Sequence, residues 1–212
     1  MDVFLNKLER RLKGACIHNL MLYIVLGMLA IYLIDFLRPG LALSSHLYLD
    51  MGLVAQGQVW RLITFIFLPP ATSIFWLAFS LYFYYLIGSA LEGQWGSFKF
   101  NIFYLVGILG SILSALLTGY ASNTYLNLSL FFAFAILYPD FQMMLFFFIP
   151  IKIKYLAILD AVLFLWQFIM GGWSVRISIL FALANVALFF LGDAKRQYQQ
   201  WKRRRAFQKN WK

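Results

Sequence analysis

The chain has 212 residues, 63% hydrophobic and 12% charged, with a net charge of +10 and a mean hydropathy of +0.77. A soluble domain carries about 25% charged residues, so half that share excludes a water-soluble globule and implies an integral membrane protein. The basic residues flank apolar runs and build no aromatic-interleaved face on a soluble domain, which argues against a nucleic-acid binder.

Residues 1–19 form the first segment. In MDVFLNKLERRLKG, Val3, Phe4, Leu5, Leu8 and Leu12 fall at roughly helical spacing opposite a basic face. That is the pattern of a helix lying on an anionic inner leaflet. No small-residue cleavage site follows, so no removable signal peptide is expected. The single cysteine, Cys16, makes no internal disulfide.

A spanning helix needs roughly 17–25 apolar residues. Residues 20–192 hold six predicted spans, at about 20–37, 72–91, 100–118, 123–138, 155–171 and 174–192. The fourth is short, which is tolerable when protein rather than lipid surrounds it. Residues 193–212 form a basic tail with Trp201 and Trp211 among the cations, a second expected contact with anionic headgroups. With the N-terminus inside, 15 of the 18 Lys and Arg residues fall on the inner side, and Arg38, Arg61 and Arg176 fall outside. The excess of inner positive charge orients both termini to the cytoplasm and requires an even number of spans.

The connection from 38 to 71 is long and rather apolar, with Leu47, Tyr48, Leu49, Met51, Leu53, Val54 and Trp60. Long loops without structure of their own are uncommon unless functional. Such a loop is expected to lie half-immersed in the outer interface, with Trp60 at headgroup level. Arg61 then either ties the loop together by donating to its backbone carbonyls or, with Trp60, is a plain interfacial anchor. The residues alone leave both open.

Trp60-Arg61 followed by Leu-Ile-Thr, then Glu92-x-x-Trp95-Gly96 at the inner end of the second span, make the chain similar to the rhomboid superfamily. The stretches 57–111 and 131–157, the latter with Pro139, resemble that family's core, fourth span and inner loop. The likeness covers most of residues 20–192 and implies an all-α, six-span membrane fold with a membrane-embedded first loop. Active members are intramembrane serine proteases with a Ser–His dyad. The serine stands in Gly-x-Ser-Gly at the start of the fourth span and the histidine in the sixth. A hydroxyl is a poor nucleophile until a base takes its proton.

On this chain the motif positions fall on Ser122-Asn123-Thr124-Tyr125, with Thr124 in the nucleophile's place and both glycines replaced. The second-span positions that support the oxyanion fall on Trp76 and Ser80, where proteases usually carry His and Asn. The sixth span contains no histidine. The two histidines of the chain are His18, at the inner end of the first span, and His46, in the first loop. Fold markers kept and catalytic markers lost resemble the rhomboid pseudoproteases, which include the derlins and bind membrane-protein clients. The expected function is binding of client transmembrane segments for recognition, quality control or trafficking. A bacterial cytoplasmic membrane is expected, with the endoplasmic reticulum as the alternative. The competing readings are a peptidase with rearranged residues, such as Ser129 or Thr124 with His46, and a small transporter.

Three acids need an account. Asp160, in the fifth span, is either a functional intramembrane acid or a local partner of Lys154 or Lys152. Asp140 falls in the inner loop, and Asp35 is placed to pair with Arg38. Ser111, Ser114, Thr118, Ser129 and Ser178 are expected to bond to their own helix or a neighbouring one, and Gly107-x-x-x-Ser111 and Gly110-x-x-x-Ser114 to allow close helix packing. No metal-ligand cluster, phosphate loop or dinucleotide fingerprint is present in the sequence, so no metal or cofactor is expected.

Overall fold

A computed structural model describes residues 16–70, 73–145 and 149–190. The chain enters the membrane domain on α1 (Leu20–Leu37), whose buried Met21, Ile24, Met28 and Tyr32 recur every three or four residues and so share one face. Three one-turn helices follow in the first loop: α2 (Leu43–Leu47), α3 (Met51–Ala55) and α4 (Arg61–Thr64). Short 3-10 turns occupy Pro39–Leu41 and Phe65–Phe67. Then come α5 (Ile74–Trp95), α6 (Ser97–Thr118), α7 (Thr124–Leu137), α8 (Ile153–Met170) and α9 (Trp173–Phe190). Of these, α1, α5, α6, α8 and α9 are long and apolar enough to cross a membrane, while α7 has 14 residues. The basic segments expected at 1–15 and 193–212 lie outside the described residues.

The short α7 is the centre of the bundle. At 1.5 Å per residue it is about 21 Å long, against a hydrocarbon layer of about 30 Å. Nine of its 14 residues are buried, from Leu126 to Ala135, so protein surrounds most of its length. α8 is its opposite. Only Ile153 of its 18 residues is buried, and its long apolar side chains face outward. The buried interior is mostly apolar, but among the described residues it also holds eight polar or charged side chains. Among them Asn127 and Asn185 are 5% and 2% exposed.

Helical ends differ from the apolar counts for physical reasons. Glu92 closes the expected second span at 91, yet α5 continues to Trp95 and stops only at Gly96. That glycine, at φ 84° and ψ 154°, ends α5 and starts α6 in one residue. Side chains other than hydrogen essentially never adopt this backbone conformation.

Two small antiparallel ribbons interrupt the expected all-helical pattern. β1 (Leu49–Asp50) pairs with β2 (Tyr120–Ala121), fastening the first loop to the connection between α6 and α7. β3 (Gln142–Leu145) pairs with β4 (Ile149–Lys152) in register from Gln142 opposite Lys152 to Leu145 opposite Ile149, making a hairpin of what reads as an inner loop.

Replacing Gly96 with Ala is expected to destabilise the fold by about 2 kcal/mol through backbone strain alone, since a Cβ there meets no neighbour within 4 Å. Thermal unfolding of the purified variant in detergent measures it.

Candidate functional site

The first loop is held by four polar side chains. Arg61 is 3% exposed. Its Nη1 donates to the carbonyls of Tyr48 at 2.9 Å and Ser45 at 3.4 Å, and its Nε to Gln58 Oε1 at 2.7 Å. Both carbonyls lie at the end of α2, where the last turn of a helix leaves acceptors unpaired. The loop backbone is therefore less irregular than expected, and Arg61 closes a helix end within it. Asp50 caps α3 through the amides of Gly52 at 2.8 Å and Leu53 at 3.2 Å. Asp35 does not reach for Arg38 as expected. It accepts the amides of Leu43 at 2.6 Å and Ser44 at 3.0 Å together with the Ser44 hydroxyl, which ties the end of α1 to α2. Asn123 is 5% exposed and donates from Nδ2 to the carbonyls of Ile66 at 3.3 Å and Leu68 at 2.8 Å. Trp60 is half exposed beside this frame.

The C-terminal end of α5 is a second fastening. Glu92 accepts from the Asn19 amide at 2.9 Å and the Ser97 hydroxyl at 2.6 Å, joining the start of α1 to the Gly96 turn. His18 Nδ1 lies 3.0 Å from Ser97 Oγ, with Cys16 Sγ 4.0 Å from its Nε2. The Ser97 proton goes to Glu92, so the imidazole is not placed to activate that hydroxyl. Trp95 packs on Phe103, Phe189 and Phe190 at ring distances of 5.2–5.9 Å.

The positions matching the serine motif open α7. Thr124 is exposed, and its Oγ1 accepts the Ser122 hydroxyl at 3.0 Å. The Tyr125 ring packs edge-on against Phe164 of α8 at 6.2 Å, filling the space a glycine would leave open. Beneath them runs a narrow cleft of about 290 Å³ including its open mouth, lined by Ser111, Ser114, Ser122, Ser129, Ser178 and Asn185 among others. Its enclosed part has room for about one water molecule. Its serine hydroxyls are already bonded. Ser129 donates to the Leu126 carbonyl at 2.7 Å and accepts from Asn185 Nδ2 at 3.2 Å. Ser114 and Ser178 bond to each other across α6 and α9 at 2.8 Å, and Ser111 donates to the Gly107 carbonyl at 3.1 Å. Gly107 lets α6 approach α7 and α9 so closely that a Cβ would strike Leu126. The lining holds no imidazole, carboxylate or amine, so nothing within it can take a hydroxyl proton.

The remaining expected residues are dispersed. Trp76 and Ser80 share a face of α5. Trp76 is half exposed and packs on Phe75 and Phe79, while Ser80 is half buried. His46 is exposed in α2. Pro139 is exposed, and its carbonyl accepts the Lys154 amide at 3.2 Å. Asp160 does not pair with the nearby lysines. Lys154 and Lys152 both bond to Asp140, at 3.0 and 3.3 Å, and this holds the Asp140 carboxyl below its ordinary pKa. Asp140 thus has the pairing that one of the two readings gave to Asp160. Asp160 lies further out, the eighth of 18 residues in α8. Among the described residues no group of three His, Cys, Asp or Glu gathers as a metal site would require. Missed by the sequence reading were Asn123, Gln58 and Asn185. The first sits at the unspecified position of the matching motif, and amides carry no charge pattern to mark them.

A family model described as the Rhomboid domain matches residues 56–191. No curated protein matches the chain.

Replacing Arg61 with Met leaves the Tyr48 and Ser45 carbonyls and the Gln58 amide without their donor and is expected to cost about 3 kcal/mol. Arg61→Lys is expected to recover only part, because a single ammonium lacks the guanidinium's fork of donors. Denaturation midpoints in detergent, with limited proteolysis of the first loop, measure both. Wild-type stability of the Met variant would remove Arg61 from this role.

Proposed function

The chain belongs to the rhomboid superfamily, and from that premise we propose that it is a catalytically inactive member that binds the transmembrane segments of client proteins. Rhomboids include both serine proteases and inactive relatives, so the choice rests on the site. The observation that carries the reading is Ser122-Asn123-Thr124-Tyr125 standing where proteases have Gly-x-Ser-Gly, in a chain whose sixth span has no histidine. The committed hydroxyls beneath it, the ring of Tyr125 against Phe164, and a cleft too small for a peptide backbone support it.

Binding of a client would be physical rather than chemical. An outward-facing α8 of 18 residues, about 27 Å long, and a loop fastened at the outer interface favour a locally thinner bilayer. A client helix that is short, kinked or poorly apolar gains by moving from thicker lipid to the flank of this bundle. There its polar groups can find partners. The basic termini would hold the protein on an anionic inner leaflet, and a bacterial cytoplasmic membrane suits the compact chain.

Purified protein in liposomes, presented with a panel of transmembrane reporter substrates, is expected to cleave none of them, and a Thr124→Ala, Ser129→Ala double variant is expected to behave identically. Photo-crosslinking in the same liposomes is expected to capture reporter helices. Cleavage by the wild type that the double variant abolishes would overturn the reading.

A further inference from the structure

α8 is the least embedded of the long helices, with Ile153 alone buried. It carries one ionisable group away from its ends. Ile153, Ala157, Asp160 and Phe164 are spaced four, three and four residues apart and so share one face. Phe164 meets Tyr125 of α7 on that face. α7 and α8 run antiparallel, so Asp160, one turn inward from Phe164, sits at the level of Leu128 and Ser129. Leu128 is apolar and the Ser129 hydroxyl is already bonded elsewhere. Asp160 is only partly buried, and among the described residues nothing donates to it. The nearest lysines are engaged by Asp140.

Its depth selects the kind of partner. Asp160 lies about 10 Å along the helix axis from Ile153 and about 15 Å from Met170, out of reach of a lipid headgroup on either side. An acid held in hydrocarbon without a partner is costly, and the cost is relieved by an opposite charge at the same depth. Among the described residues a second copy of this chain does not supply one. In the described helices of 14 or more residues, Lys99, Lys154 and Arg176 are the only Lys or Arg, and each lies within the first four residues of its helix.

We infer that Asp160 is the contact by which this protein selects its partner: a transmembrane helix of another protein carrying a lysine or arginine near the middle of its span. This rests on the client-binding reading and gives that binding a chemical criterion. The partner would lie along α8 at its seam with α7, its apolar face covering the outward side chains of α8. Its cation would reach Asp160 from the lipid side, so a helix whose charge lies near one end would gain nothing.

The test uses full-length protein in phosphatidylcholine liposomes with synthetic photo-crosslinking helices of leucine and alanine. One probe carries a central lysine, one a central leucine, and one a lysine close to its end. The wild type is expected to capture the central-lysine probe at least tenfold more than the other two. Asp160→Asn, nearly isosteric, is expected to reduce it to their level while eluting as a folded species. Asp160→Lys is expected to transfer the preference to a probe with a central glutamate. Equal capture of all three probes by the wild type would overturn the role of Asp160 and leave client binding standing. Capture of none would overturn both. A lysine preference that survives Asp160→Asn would assign the recognition to another group.

Discussion

A chain that leaves water must satisfy its own backbone, and in this protein that constraint is concentrated in the first loop. Between α1 and α5 the backbone turns through three one-turn helices and two 3-10 turns, each with ends that want donors or acceptors. Asp35 and Asp50 supply acceptors for the amides at the starts of α2 and α3. Arg61 supplies donors for the carbonyls at the end of α2, and Asn123 does so for those around Phe67. The β1–β2 ribbon binds the same loop to the head of α7. These ties place the opening of α7, the point where the family keeps its nucleophile, against the folded first loop.

The same ties bear on what the site does. Asn123 and Tyr125 flank Thr124, and both are structural here, one holding the loop and the other packed on α8. A protease needs that neighbourhood open and its hydroxyl free, with a base beside it. In this chain Tyr125 fills the space, and the serine hydroxyls beneath it are bonded to helix carbonyls or to each other. The polar groups at the centre hold α6, α7 and α9 together. α8, with little burial of its own, remains the surface where another helix can lie.

Much of the fold was legible in the sequence because apolar length alone marks helices that must cross a bilayer. The loop was legible as a structured element because it is too apolar for water, while Arg61 was legible only as either its tie or an interfacial anchor, and the carbonyls it reaches decide for the tie. What was not legible has a common cause. The two ribbons are four residues or fewer per strand and depend on contacts distant in sequence. Asp35 was assigned to the wrong partner because charge proximity along the chain favours Arg38, and Asp140 was given no partner because one reading left Lys152 and Lys154 to Asp160. Three-dimensional turns direct Asp35 to amides and both lysines to Asp140. Asn123 and Asn185 carry no periodicity or charge by which a single sequence could single them out.

The central claim is that polar side chains hold the backbone of the first loop, and Asn123 tests it most directly because it acts from outside the loop, at the head of α7. Amide hydrogen exchange of residues 61–68 would be followed in nanodiscs for the wild type and Asn123→Ala. Loss of these buried bonds, about 1.5 kcal/mol of local stability, is expected to speed exchange there roughly tenfold while α6 remains protected. Unchanged exchange in the loop would contradict the account. So would equal loosening of α6, which would mean that Asn123 supports the bundle as a whole rather than the loop.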